Sequence, residues 1–179
     1  MKINLGAGKS YREGYISVDK VQLPHIDRVC RAEELTKYFK ENSVDEIYSR
    51  CCLEHVDDID EAIWSMWSIT KSGGSWEIIV PYTHSYSAFD INHNYQFHHR
   101  SFDTFSEDNT YIREGKYGEI RLKVEKITFE FQSYQKSFIL NLINSVIKKI
   151  ADKNPNFYVR LLGHLYPAYN MNFFIKVIK

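Results

Sequence analysis

Gly6-Ala7-Gly8 closes a short apolar run, Ile3–Leu5, and Asp19 closes a second one, Tyr15–Val18. Glycines at a strand end let the backbone turn sharply and approach a ligand that any Cβ would hold away. A carboxylate at the tip of the neighbouring strand is placed to accept hydrogen bonds from a ribose. Together they point to a nucleoside-containing ligand at the carboxyl edge of a parallel sheet. Its spacing narrows the ligand: Asp19 lies 11 residues beyond Gly8, whereas dinucleotide folds place their acid about 20 residues on. Tyr11 also stands where the third glycine of Gly-x-Gly-x-x-Gly would be. No full helix fits between the two strands, which disfavours NAD and FAD. A second set of reactive residues follows much later. Four of the seven histidines, His84, His93, His98 and His99, fall within sixteen residues, interleaved with Asp90, Asp103, Tyr82, Tyr86, Tyr95 and Arg100. Imidazole exchanges protons near neutral pH and binds metals, so this segment is the second candidate for chemistry.

These residues need a scaffold, and the pattern supplies one. Strand-like runs recur at Ile3–Leu5, Tyr15–Val18, Asp27–Cys30, Asp45–Ser49 and Trp76–Val80. Between the last two, Ile59, Ile63, Met66, Trp67 and Thr70 recur at helical spacing, with Asp57 or Asp58 to cap the start and Gly73-Gly74 to end it. Strands alternating with helices argue for βαβ units and a mainly parallel sheet. After Pro81 the composition turns polar: residues 82–118 read as a substrate-side loop, with only Ser101–Phe105 briefly helical. A strand-like Arg121–Phe131, a helix over Phe138–Ala151 and a strand-like Phe173–Ile178 complete the chain. The helix puts Ile139, Ile143, Val146, Ile147 and Ile150 on one face, and its few basic residues favour core packing over a membrane surface.

At 179 residues the chain is expected to form one domain, 1–179, large enough to bury a single core. Its 23 basic and 23 acidic residues cancel and form no basic block, which disfavours nucleic acid as a partner. Cys30, Cys51 and Cys52 are odd in number and poorly spaced for disulfides, so they read as reduced thiols of a cytoplasmic protein. No signal peptide precedes the first strand, and no apolar run approaches the roughly 18 residues that cross a membrane.

Six motifs then fall in order: Leu5-Gly-Ala-Gly8, Gly14-Tyr-Ile-Ser-Val-Asp19, Ser43-Val-Asp-Glu-Ile-Tyr-Ser49, Leu53-Glu-His55, Lys71-Ser-Gly-Gly74 and Ile78-Ile-Val-Pro81. Across about residues 2–105 the chain resembles class I S-adenosylmethionine-dependent methyltransferases, most closely a small group with the same short connection between the glycines and the acid. The resemblance implies a Rossmann-like, doubly wound α/β fold with a seven-stranded sheet whose last strand is antiparallel. It implies S-adenosyl-L-methionine as cofactor: Leu5, Gly6, Ala7 and Gly8 at the methionine part, Asp19 on the ribose hydroxyls, Ser49 and Arg50 beneath the methyl group. Relatives carry an Asp after the third strand for the adenine amino group, where this chain reads Arg31-Ala32-Glu33. Guanidinium is donor-only, so Arg31 can stack on the purine, Glu33 can replace the acceptor, and the Ala32 amide can meet a ring nitrogen.

Methyl transfer is an in-line displacement, and a hydroxyl acceptor needs a group to take its proton. Asp90-Ile-Asn-His93 resembles the family's Asp-Pro-Thr-His, which makes His93 the first candidate base, oriented by Asp90, with His98 or His99 next. The same loop also reads as a merely solvated polar segment or a dimer interface. A divalent metal on Asp90, His93, His98 and His99 is a further alternative, but no tight ligand spacing is present, so no metal is assigned. Glu54-His55 reads as a pair orienting the cleft wall rather than moving protons. The expected function is methylation, on oxygen, of a small, sugar-like or nucleotide-sugar acceptor; the alternative is a non-catalytic module that keeps cofactor or partner binding on a methyltransferase fold.

Overall fold

A computed structural model describes residues 1–106, 114–133 and 137–179. Its strands are β1 (Lys2–Leu5), β2 (Ile16–Asp19), β3 (Arg28–Val29), β4 (Val44–Arg50), β5 (Thr70–Pro81), β6 (Arg121–Glu130) and β7 (Asn170–Ile178). They form one sheet in the order β3-β2-β1-β4-β5-β7-β6. β1, β2, β3, β4 and β5 run parallel, and β7 is antiparallel to both β5 and β6. This is the expected Rossmann-like sheet, and it brings the carboxyl ends of β1, β2, β4 and β5 to one edge.

Helix α1 (Ile59–Ile69) crosses from β4 to β5, and Asp58 caps it by accepting from the Glu61 amide at 3.0 Å. The glycine pair does not end it, contrary to the sequence reading. Thr70 already turns extended, its hydroxyl donating to the Met66 carbonyl at 2.7 Å and accepting from the Trp76 indole at 2.9 Å. Gly73-Gly74 instead sits inside β5, where the pairing with β4 skips from Thr70 to Ser75. Strand chemistry overrode the glycine stop signal because Thr70 finds both its partners in the core.

One face of the sheet carries Ile3, Leu5, Ile47, Trp76, Ile78, Phe173 and Ile175, and these form a single cluster with Leu35, Ile63, Met66 and Phe129. α1 and the short helical turn Ala32–Lys37 supply its cover. Side chains on the opposite face are different because strand residues alternate. That face carries a lattice of polar contacts: Lys2 pairs with Glu46 at 2.7 Å, and Arg12 lies over the Tyr48 ring at 4.0 Å and pairs with Glu77 at 3.7 Å. The absence of a full helix between β1 and β2 fits this partition, since the ten residues between those strands lie as a loop across the polar face, tied by Asn4 donating to the Ser10 carbonyl.

Helix α2 (Phe138–Lys153) corrects one expectation. Its apolar stripe does not enter the core: Ile139 is 69% and Val146 51% exposed, and only Ile147 and Ala151 reach the packed cluster. The helix is held by polar anchors, Lys148 and Asp152 binding the carbonyl and amide of Phe129 at 2.6 and 2.8 Å. Polar hydrogen bonding to β6 set its rotation, so periodicity identified the helix but not the side it would bury. No helix among the described residues is long and apolar enough to cross a membrane.

Candidate functional site

Where β1 ends, the chain must turn without side chains. Gly6 has φ +67° and Gly8 φ +52°, in the left-handed region. The Gly6 and Ala7 amides donate to the Val18 carbonyl at 2.9 and 3.1 Å, which locks the loop onto β2. A Cβ on Gly6 would lie 2.4 Å from Cβ of Cys52, whereas one on Gly8 would touch nothing closer than 4.0 Å. Gly6→Ala should therefore cost about 2–5 kcal/mol of stability, from overpacking plus backbone strain. Gly8→Ala should cost about 1–3 kcal/mol, from strain alone. Denaturant unfolding of both variants checks the order; equal losses would remove the close approach of Cys52 as the cause.

Asp19 stands opposite this loop. Its two carboxylate oxygens accept from the Gly8 amide at 2.8 Å and the Val21 amide at 2.9 Å. Each oxygen keeps a further lone pair, so the group can still accept hydroxyls. Together with Gly6, Gly8, Arg31, Ala32, Glu33 and Val56, Asp19 lines a cavity of about 350 Å³ at the carboxyl edge of the sheet. That volume suits a small-molecule site. Leu5 lines it as well. Ala7 is buried in the loop behind it.

Arg31 and Glu33 are both engaged. Arg31 is hydrogen-bonded to Asp57, and the Glu33 carboxylate accepts from the Asp57 amide at 2.8 Å and the Asp58 amide at 3.4 Å. The pair thus ties the turn after β3 to the start of α1 and forms one wall of the cavity. Arg50 points elsewhere: it is bidentate with Glu130 at 3.0 and 2.7 Å, and Glu130 also accepts from Asn170 at 2.9 Å. Ser49 is buried, its hydroxyl without a hydrogen-bond partner, and neither residue lines the cavity.

A second cavity, of about 380 Å³, adjoins the first; Cys51 and His55 line both. Glu54, Asp90, His93, Tyr86 and Tyr169 complete much of its wall. The fit of these distant segments has a clear origin. The amides of Asn94 and Tyr95 donate to the Glu54 carbonyl at 2.8 and 3.2 Å, and the Asn94 side chain donates to the Val56 carbonyl at 3.0 Å. Residues 92–95 are thereby fastened along the turn Leu53–His55. His93 comes to lie edge-on to His55, ring centroids 4.6 Å apart.

Asp90 does not hydrogen-bond to His93 through its side chain. Its carboxylate accepts from the amide and side chain of Asn92 at 3.0 and 3.1 Å, and that amide holds its pKa below the usual range. Glu54 is the opposite case: burial pushes its pKa up. Burial also pushes the Cys51 and Cys52 thiols up to about 11 and 12, which argues against thiolate chemistry here. His98 and His99 line neither cavity; their rings pair at 4.1 Å, and His99 bonds Asn156 at 2.7 Å. The structure thus gathers His93 and Asp90 with Glu54 and His55, and keeps His98 and His99 apart. The sequence signal for Glu54 was its adjacency to His55; its approach to His93 depends on backbone contacts that no spacing reveals. Part of the expected substrate-side stretch, residues 107–113, lies outside the described residues.

Comparison with known proteins agrees with the fold that carries these residues. A sequence family described as a methyltransferase domain matches residues 11–78. No curated protein sequence matches the chain. Among solved structures, a SAM-dependent methyltransferase from Archaeoglobus fulgidus is similar at 17% identity, with a TM-score of 0.59 over 98% of this chain and 85% of that one. The YcgJ protein from Bacillus subtilis is similar at 12% identity, with a TM-score of 0.58 over 99% and 91%. A methyltransferase of Haloferax volcanii, in complex with the Trm112 methyltransferase activator, is similar at 14% identity, with a TM-score of 0.57 over 98% and 81%. The fold is that of class I methyltransferases.

Proposed function

We propose that this chain, built on the class I methyltransferase fold, transfers a methyl group from S-adenosyl-L-methionine to a hydroxyl of a small, sugar-like acceptor. The observation that carries the reading is the pair of adjoining cavities at one sheet edge, one walled by the glycine loop and Asp19, the other by His93. In this reading Asp19 accepts the ribose hydroxyls, Leu5 to Gly8 meet the methionine part, and Ser49 supports the floor. Ala32 meets the adenine through its amide, while Arg31 and Glu33 hold that wall in place. The sulfonium methyl then points toward the second cavity across the shared Cys51 and His55.

A hydroxyl seated there lies against His93, which acts on its proton. Polar and aromatic walls, including Tyr86 and Tyr169, suit a hydroxylated ring such as a sugar or nucleotide-sugar. Aligning acceptor and methyl carbon can contribute roughly 7–11 kcal/mol, which is most of what such a displacement asks of a protein. Arg50, paired to Glu130, is left outside this machinery. Calorimetry tests the cofactor half directly. S-adenosylhomocysteine should bind at one per chain and NAD(H) should give no heat; the reverse result would overturn the reading. Labelled S-adenosylmethionine offered with nucleotide-sugar pools then identifies the acceptor.

A further inference from the structure

Buried in the second cavity is a carboxylate whose oxygens are left without a hydrogen-bond partner. Glu54 is 1% exposed, and neither of its oxygens has a well-formed hydrogen bond, although its own amide and the weakly donating Cys51 thiol lie nearby. Nδ1 of His93 is likewise buried and unpartnered. Leaving such groups unsatisfied costs free energy that a fold normally avoids, so their convergence asks for a missing partner. One ligand atom from each of Glu54, His55 and His93 lies within 4.8 Å of the other two. His55 Nδ1 is 3.0 Å from the Asn92 carbonyl, an acceptor that fixes the proton on Nδ1 and leaves Nε2 with a free lone pair. The clamp of residues 92–95 onto the Glu54 carbonyl holds the three together.

We propose that Glu54, His55 and His93 bind a divalent transition-metal ion. Two imidazoles and one carboxylate suit zinc, iron(II), nickel or manganese better than calcium or magnesium. Bonds of about 2.0–2.2 Å bring ligand atoms to about 3.4 Å from one another, so a closing movement of about 1 Å completes the site. An open position then faces the cavity. What the ion does there rests on the methyl-transfer reading; the site itself stands on the geometry. The acceptor hydroxyl binds the ion, which lowers its pKa and lets its proton pass to water. The oxygen then forms a bond to the methyl carbon as the carbon–sulfur bond breaks, its electron pair remaining on the sulfur of S-adenosylhomocysteine. His93 thus acts on the acceptor's proton through the ion it holds.

The test uses tag-free protein stripped by a chelator and titrated with zinc or manganese by calorimetry, and with cobalt(II) by visible absorption. One ion per chain is expected, with cobalt bands free of thiolate charge transfer despite the neighbouring cysteines. Glu54→Gln and His93→Ala should each weaken binding by at least about 100-fold, the upper end of what loss of an outer-shell partner costs. His55→Ala provides a third variant, and circular dichroism confirms that each is folded. His164→Ala, at an exposed histidine, should bind as the parent does. Absence of stoichiometric binding, a thiolate cobalt spectrum, or unchanged affinity in the folded ligand variants would overturn the proposal. Metal binding without S-adenosylhomocysteine binding would leave this site standing and remove the methyl-transfer reading. The opposite pair of results would remove this site alone.

Discussion

Asp19→Ala is expected to weaken binding of S-adenosylhomocysteine by about 10²–10⁴-fold. Two hydrogen bonds from ribose hydroxyls to a charged acceptor contribute about 1.5–3 kcal/mol each, and every 1.4 kcal/mol is a tenfold change. A second effect accompanies the first. Asp19 also accepts from the amides of Gly8 and Val21 at 2.8 and 2.9 Å, so its loss frees the glycine loop, which in the proposed reading faces the methionine part. Asp19→Asn separates the two contributions: it keeps an acceptor of the same shape and removes the charge, so its loss should fall between wild type and alanine. Calorimetry reads the affinity, and thermal unfolding of the unliganded variants reads the loop. Unchanged affinity in Asp19→Ala would mean that the nucleoside does not sit against β2 at all.

The order of these elements was legible because it depends on local signals. Gly6 and Gly8 could be read as a close approach, and the structure adds the neighbour that makes Gly6 indispensable, Cys52. A helix cap at Asp57 or Asp58, of which the fold uses Asp58, followed from spacing, and the seven-stranded sheet with an antiparallel end from resemblance. Rotation and pairing were not legible. The α2 stripe has helical period, yet Lys148 and Asp152 anchor the helix by another side, and hydrogen bonds across the fold leave no periodic trace. Arg50 closes the strand end expected to floor the cofactor, but alternation along β4 turns it to the other face, where Glu130 from β6 receives it. Likewise the histidine-rich segment offered His93 first, from its place in Asp90-Ile-Asn-His93, with His98 or His99 next, but no spacing showed what would surround them. The backbone bonds of residues 92–95 press His93 against Glu54 and His55 and leave His98 and His99 apart.

That distinction sets up the other large effect. His93→Ala should lower turnover by about 10²–10⁴-fold once an acceptor is in hand, the range for removing a group that handles the reacting proton. Binding of S-adenosylhomocysteine should stay within a few-fold of the parent, because His93 lines the second cavity and not the first. The loss should therefore appear in kcat rather than in cofactor affinity, and His99→Ala, at a ring bound to Asn156 outside both cavities, should show no comparable loss. Chelation sharpens the result. If His93 works through a bound ion, stripping the metal from the parent should reproduce most of the defect, and adding it back should restore the parent but not the variant. If the imidazole took the proton itself, turnover would survive chelation and fall with the acid limb of an imidazole in its pH profile. Near-normal turnover in the folded variant would remove His93 from the reaction. It would also leave the buried Glu54 carboxylate, its oxygens without a hydrogen-bond partner, as the group to replace next.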